Sequence, residues 1–456
     1  MTKVYIGCGA GFSGDRFDAA VPVVATLAAL PGERFLIYEV LAERTLAIAQ
    51  RLRREDPAQG YSPFLDAYLP LVLADCRRHG IRIVTNMGSA NPLGAAQRVH
   101  TLARALGIAG LKVAAVTGDD LLATMTESQV RAQPMLEGIA LGERPIVAVN
   151  AYLGARPIAA ALATGADVVL VGRSTDAALS LGPLLHVYGW SDDDLDRLAQ
   201  GTMCGHLLEC GAQVTGAYFA DPGFKDVPDL AAVGFPICEV ADDGEVIITK
   251  AHNTGGAVNR ATVIEQLLYE IHDPHNYLTP DVVLDLGEVT VEEIGSDRVR
   301  VLGARGKPPP ATLKATVCVD AGWLGEAEIS YAGPNALARA ELAAAVVRTR
   351  CRSIGIAEQV RVEVLGTQAI LDGNTQQRRA RLSSPAANGE YRVRAAVRSA
   401  SRKVAQQVAD EVLSLYCSGP AGGAGVRQQV ASQISTGSIL VDRGVVQPRI
   451  HLVAAA

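Results

Sequence analysis

The sequence predicts an α/β protein: a parallel sheet with helices on both faces, followed by a ferredoxin-like α+β sandwich. Three observations carry this. Short apolar runs alternate with helical spacing over about the first 180 residues, the pattern of a parallel sheet with right-handed crossovers. IVAVN (146–150) and DVVLVG (167–172) are apolar on both faces, as strands buried between helix layers are. After Asp285 the pattern changes to alternating half-buried strands set between long helices. A doubly wound sheet is the first expectation and a barrel-like (β/α) arrangement the second. The expected division is an α/β domain over 1–285, which carries the site and a loop-rich insertion at about 191–285, and a sandwich over 286–456.

In chain order, KVYIGC begins the sheet, DRFDAAVPVVATLAAL reads as a helix, FLIYEV as a strand and LAERTLAIAQRLRRE as a helix. SPFLDAYLPLVLADCRRHG is helical, with Ser62 a cap before Pro63. RIVTN (82–86) and LKVAAVTGDD (111–120) are further strands. PIVAVNAYLGARPIAAALATGADVVLVGRSTD (145–176) reads strand, crossover helix, strand. SDDDLDRL and QGTMCGHLLECGA read as an acidic helix start and a short helix. AYFADPGFKDVPDLAAVGFP is a long loop whose Tyr218, Phe219, Phe224 and Phe235 argue for an ordered one. VRVLGARG, TLKATVCVD, AEISYAG, VRVEVLG and YRVRAAVRS are strands of the second part. ALARAELAAAVVRTRCRSIG and SRKVAQQVADEVLSLYC are its helices, and GPAGGAG reads as a flexible closing loop.

Composition narrows the function. At 456 residues, 49% hydrophobic and 20% charged, the chain can bury an ample core and fits a globular enzyme. No apolar run approaches the roughly 20 residues of a membrane span, and MTKVYIG begins a strand rather than a signal peptide. A net charge of −6 lacks the footprint of a nucleic-acid binder. Eight scattered cysteines without CxxC pairs suggest reduced thiols in a cytoplasm.

Ligands of parallel sheets meet the carboxyl ends of the strands. Polar residues recur there: Gly14-Asp15-Arg16, Asn86, Asp119-Asp120, Asn150, and Arg173 with Asp176. The bland alternative is caps and turns. Arg173 suits a carboxylate or phosphate through its planar fork. Asp15, Asp120 and Asp176 are candidates for acid–base work or for binding a hard divalent metal. Gly9, Gly11 and Gly14 form a GxGxxG after the first strand, and Glu39 ends the second, where a dinucleotide fold keeps its ribose-binding acid. Asp15 argues against that reading, because a carboxylate at this turn takes the free N–H groups and repels phosphate. His206 and Cys210 share a helix face at a spacing that can bind zinc, but no second ligand pair accompanies them. Proton transfer by His206 beside Glu209 and a hydrogen-bonded core His are the other readings. TKAHNTGGAV reads as a strand, an anion-holding Gly turn and a helix start, with Lys250 as support or as an ordinary surface lysine. His272, Asp273 and His275 read first as a turn.

Several of these stretches resemble the acyclic terpene utilisation (AtuA) family. The residues that carry the resemblance are GFSGDRFDAA, RIVTNMGSANP, TGDDLL, NAYLGARPI, GADVVLVGRSTDAAL, GHLLECGAQVTGAYFADPGFKDVPDL and EQLLYEIHDPHNYLTPDVV. The family pattern holds Gly11, Gly14, Asp15 and Arg16 but not Gly9. The resemblance implies bacterial catabolism of branched, terpenoid-type acids as CoA thioesters. That is a pathway context rather than a mechanism; the strand-end residues fit it as a lyase or hydratase, with Asp15, Asp120, Asp176, His206 and Glu209 as acid–base candidates. Gly11, Gly14, Arg16, Asn86, Asn150 and Arg173 are then substrate-binding. A nucleotide-cofactor oxidoreductase and a non-catalytic subunit of a carboxylase or lyase complex are the alternatives. A homo-oligomer is expected. Longer members carry a further small domain, so a small separate partner is expected in its place, or the domain is dispensable.

Overall fold

The computed structural model describes residues 3–138, 141–366 and 389–455. The protein is a mixed α/β structure organised into two compact units. The larger comprises residues 1–142, 146–318 and 436–456, and the smaller 143–145 and 319–435.

The larger unit is built on a ten-stranded mixed sheet. Its central strands are β1 (Val4–Ala10), β2 (Glu33–Tyr38), β3 (Arg82–Thr85), β4 (Val113–Thr117) and β6 (Val168–Val171). They pair in parallel in the order β1-β2-β3-β6-β4. Their near-continuous Val, Ile, Leu and Ala are buried on both sides. Two antiparallel arms extend this core. β7 (Pro236–Val240) and β8 (Val246–Lys250) flank β1, with Ile6 opposite Cys238. β18 (Arg449–Val453) closes the other side against β4, with His451 opposite Ala115. Among the described residues no sheet closes on itself, so the barrel-like alternative is corrected to an open mixed sheet.

A second correction concerns residues 145–176. The helix Arg156–Ala163 and both strands form, but β5 (Ile146–Ala151) does not join β6. It pairs with β14 (Thr312–Ala332), and Tyr152 N–H donates to the Lys314 carbonyl. Single bridges, Leu153 to Ser174 and Asp120 to Asn150, tie the end of β5 to the loops after β6 and β4. The acidic stretch and the short helix expected after Ser191 are one helix, Leu195–Glu209, buried along most of its length.

β9 (Tyr277–Leu278), β10 (Val283–Asp285) and β13 (Arg305–Lys307) form a small sheet, and β11 (Thr290–Gly295) and β12 (Arg298–Leu302) extend the large one beyond β8. In the smaller unit, β15 (Arg361–Leu365), β16 (Glu390–Ser399) and the rest of β14 pair antiparallel. The helices Ala336–Ser353 and Arg402–Leu413 bury Ala340, Ala344, Val347, Val408 and Val412 against Ile329, Val393 and Val397. The small residues let the helices lie close to the sheet. Residues 424–442, after the expected Gly-rich loop, form the long strand β17. Among the described residues no helix is long and apolar enough to cross a membrane.

Candidate functional site

Parallel strands place their carboxyl ends on one edge, so the loops after β1, β2, β3, β6 and β4 converge. Arg173, just past β6, is 3% exposed. Its Nη1 donates to Asp176 Oδ1 (2.9 Å) and to the Leu41 carbonyl. The guanidinium carbon lies 4.1 Å from the centre of the Tyr152 ring, over which Lys314 Nζ also sits at 4.8 Å. The Tyr152 hydroxyl bonds to Glu43, and Lys314 Nζ is 3.6 Å from that carboxylate. Burial works against the Glu43 charge, but Arg173, Tyr152 and Lys314 outweigh it and hold the carboxyl at about 2. Arg173 Nε is buried without a protein partner, as is Ser174 Oγ. A buried guanidinium with a spare donor is suited to an anionic or carbonyl oxygen.

The backbone of Arg173 is fixed separately. Asp119 Oδ2 accepts from Arg173 N–H (2.9 Å) and from Asn150 Nδ2 (2.8 Å), and Gln50 Nε2 donates to Asn150 Oδ1 (3.1 Å). Burial pushes the Asp119 carboxyl up to about 6, although both bonds favour its charge. Its neighbour Asp120 accepts from Leu122 N–H (3.2 Å) and lies 3.5 Å from Arg53.

Asn86, fully buried after β3, links the next loop. The Val40 N–H can only donate, so the oxygen it meets at 2.8 Å must be Asn86 Oδ1. Asn86 Nδ2 therefore donates to Glu39 Oε1 (2.8 Å), which also accepts from Leu41 N–H (3.1 Å). Burial, with the nearby Asp176 charge, raises the Glu39 carboxyl to about 8 against the pull of Arg173 and Asn86.

On the far side, His206 and Glu209 share a face of the helix Leu195–Glu209, with His206 Nδ1 2.9 Å from Glu209 Oε1. Burial pushes Glu209 up to about 7, with His206 pulling the other way and Asp176 adding to the rise. Burial disfavours the imidazolium, but the Glu209 charge prevails and His206 is raised. The pair thus holds a proton near neutrality. His206 Nε2 and Glu209 Oε2 are buried without protein partners. The His206 ring is 5.7 Å from that of Tyr277.

The helix end then meets the loop after β1. A Cβ on Gly11 would lie 2.3 Å from the Cys210 carbonyl carbon, so only glycine allows this approach. Gly14 has φ +92° and turns the loop back. Asp15 Oδ2 accepts from Gly11 N–H (2.9 Å) and Oδ1 from Arg16 N–H (2.7 Å). The next helix begins only at Ala20, so Asp15, not a phosphate, takes the donors of this loop. Arg16 donates to the carbonyls of Ala231 (3.2 Å) and Val233 (3.0 Å), anchoring the long loop that exposes Tyr218 and Phe224.

The structure therefore brings Arg173, Asp176, Asn86 and Asn150 into one hydrogen-bonded region, with Glu209 within electrostatic reach of Asp176. Asp120 flanks that region, while Gly11, Gly14, Asp15 and Arg16 shape the neighbouring loop. Glu43 and Tyr152 carry no functional signal in the sequence, and Asp119 stands out there only as a strand-end acid beside Asp120. The Gly turn after β8 is occupied from within, since Lys250 Nζ donates to the Thr254 carbonyl (2.8 Å). His275 pairs with Asp285 (3.0 Å), while its N–H donates to Asp273 (3.0 Å) as in a turn. Among the described residues no three or more His, Cys, Asp or Glu side chains group in a way that could hold a metal ion.

No curated protein and no solved structure matches the chain. One family model does, over residues 4–452, and it includes every strand and helix that positions this site. Its description is acyclic terpene utilisation family protein AtuA. The chain belongs to that family.

Proposed function

We propose that the protein is a lyase or hydratase acting on an acyl-CoA thioester or related carboxylic acid in the catabolism of branched, terpenoid-type acids. The observation that carries this reading is the buried Arg173 with an unpartnered Nε, set at converging strand ends among carboxyls held at very different pKa values. Elimination and hydration next to a carbonyl need a cation to bind the oxygen that gains charge, a base for the α-proton and an acid for the departing oxygen. Arg173 supplies the first, with Ser174 beside it. Asp176 is the base, and the His206–Glu209 pair is a proton store behind it. Asn150 and Asn86 hold the surrounding loops, and Asp15, Arg16 and Asp120 line the approach. The family's name supports a role in acyclic terpene utilisation.

The same reading takes the larger sheet as doubly wound and the smaller unit as ferredoxin-like. It also takes the protein as a cytoplasmic homo-oligomer with no role for nucleic acid. The test is incubation of the purified protein with branched 3-hydroxyacyl-CoA thioesters, 2-enoyl-CoA thioesters and the free acids. Mass spectrometry would read gain or loss of water. Turnover that is abolished in Arg173→Met supports the reading. Turnover unchanged in that variant, or none on any member of the panel, overturns it.

A further inference from the structure

Glu39 enters the site just past the end of β2, and its two oxygens differ. Oε1 takes both hydrogen bonds, from Asn86 Nδ2 and Leu41 N–H. Among the described residues no hydrogen bond reaches Oε2, and the Glu39 side chain is half-buried rather than sealed in the interior. A carboxyl with one oxygen clamped and the other open is oriented for proton transfer. The clamp is itself rigid, because Val40 N–H fixes the Asn86 amide and Asn86 is fully buried. The charged and titratable groups that face Glu39 are Asp176 and Arg173 after β6, Cys8 on β1 and Cys210 beyond the helix Leu195–Glu209. Arg173 already neutralises Asp176 through Nη1. That leaves Glu39 a half-buried acid without an ion-pair partner among the described residues, next to a carboxylate that has one.

We propose that Glu39 is a further catalytic residue, the acid that works opposite Asp176. This rests on the lyase or hydratase reading. In the dehydration direction Asp176 takes the α-proton, and the C–H electron pair becomes the new C=C bond. The C–O bond at the β-carbon breaks, and the leaving oxygen takes its electron pair together with the proton from Glu39 Oε2, departing as water. Glu39 ends as the carboxylate and Asp176 as the acid, and one proton passed between them resets the site. Hydration runs the same steps backward. Asn86 is a positioning residue that keeps Oε1 occupied and Oε2 facing out.

Two measurements on the full chain test this. Carboxyl NMR of protein labelled with 13C-glutamate needs no substrate. One signal should titrate with a midpoint above pH 7, vanish in Glu39→Gln and survive in Glu209→Gln. In Asp176→Asn its midpoint should fall by about one pH unit or more. In Asn86→Asp it should rise, because a carboxylate replaces the donor. A high-midpoint signal that survives Glu39→Gln, or that ignores Asp176→Asn, overturns the proposal. In the thioester assay Glu39→Gln should lose about 10²–10⁴-fold in kcat with KM little changed. Wild-type-like kcat would overturn the proposal as well. If wild-type protein turns over no thioester, the reaction class fails, while the NMR titration still decides whether Glu39 is the proton-bearing acid of the site.

Discussion

Replacing Asp119 separates the electrostatic from the architectural role of a buried carboxylate. Its pKa is raised from 3.8 to about 6, chiefly by burial. A folded-state value above the unfolded one means that folding favours the protonated form. The contribution is therefore complete below about pH 4 and is lost as pH rises through about 6. Two pH units correspond to about 3 kcal/mol of stability lost by pH 8. Asparagine has the same shape, and its single oxygen can accept from both Arg173 N–H and Asn150 Nδ2 as Oδ2 now does. Asp119→Asn should match the wild type only below about pH 4, exceed it by about 1–2 kcal/mol at pH 5, and exceed it by about 3 kcal/mol at pH 8. Asp119→Ala instead leaves two buried donors unpaired, at about 1–3 kcal/mol each. It should be the least stable of the three at pH 5, and its deficit should narrow as the wild type weakens. Urea unfolding at pH 5, 6, 7 and 8 gives all three curves. Parallel curves for wild type and Asp119→Asn would refute the buried-charge account. An alanine variant as stable as wild type at pH 5 would refute the bonding account.

Three further outcomes follow from the same geometry. Gly11→Ala places a methyl 2.3 Å from the Cys210 carbonyl carbon and 2.4 Å from Gly211 N, so the loop must move; a loss of about 1–3 kcal/mol in denaturant unfolding is expected. Tyr152→Phe removes the hydroxyl bonded to Glu43, and the Glu43 carboxyl should titrate above its present value of about 2, which carboxyl NMR reads directly. Asp281 accepts the Ala155 N–H with both oxygens (3.0 Å each) at the start of the helix Arg156–Ala163. Asp281→Ala should cost about 1–2 kcal/mol by thermal melting at neutral pH.

The strands and helices with strong periodicity could be read from the chain, and so could the polar residues at their ends. What escaped is long-range. Nothing in IVAVN distinguishes a strand that joins β6 from one that joins β14, because both partners offer an apolar pairing surface. β17 is rich in Gln, Ser and Thr and begins in a Gly-rich stretch, so alternation is weak there and the strand reads as loop. At the site, TGDD shows two adjacent acids but not which one turns inward; burial selects Asp119, and Asp120 faces Arg53. Glu39 was visible only as a ribose-binding acid, since its clamp depends on Asn86, 47 residues on. Tyr152 carries no signal of its own in NAYLG, because its role depends on the Arg173 guanidinium stacked over its ring.

The pairing of β18 with β4 carries a lesson about synthesis on the ribosome. Thr117 and His451, 334 residues apart, bond across it, and Gly118 approaches the Gln447 carbonyl so closely that a Cβ would come within 2.2 Å. The turn that delivers Asp119 to Arg173 is thus braced by a segment translated long after the rest of the sheet. Until that segment emerges, a nascent chain carries an open apolar strand edge and an unbraced loop, the kind of intermediate that invites mispairing and chaperone capture. Emergence of β18 from the exit tunnel, rather than formation of the first βα units, would then be the moment at which the site sets.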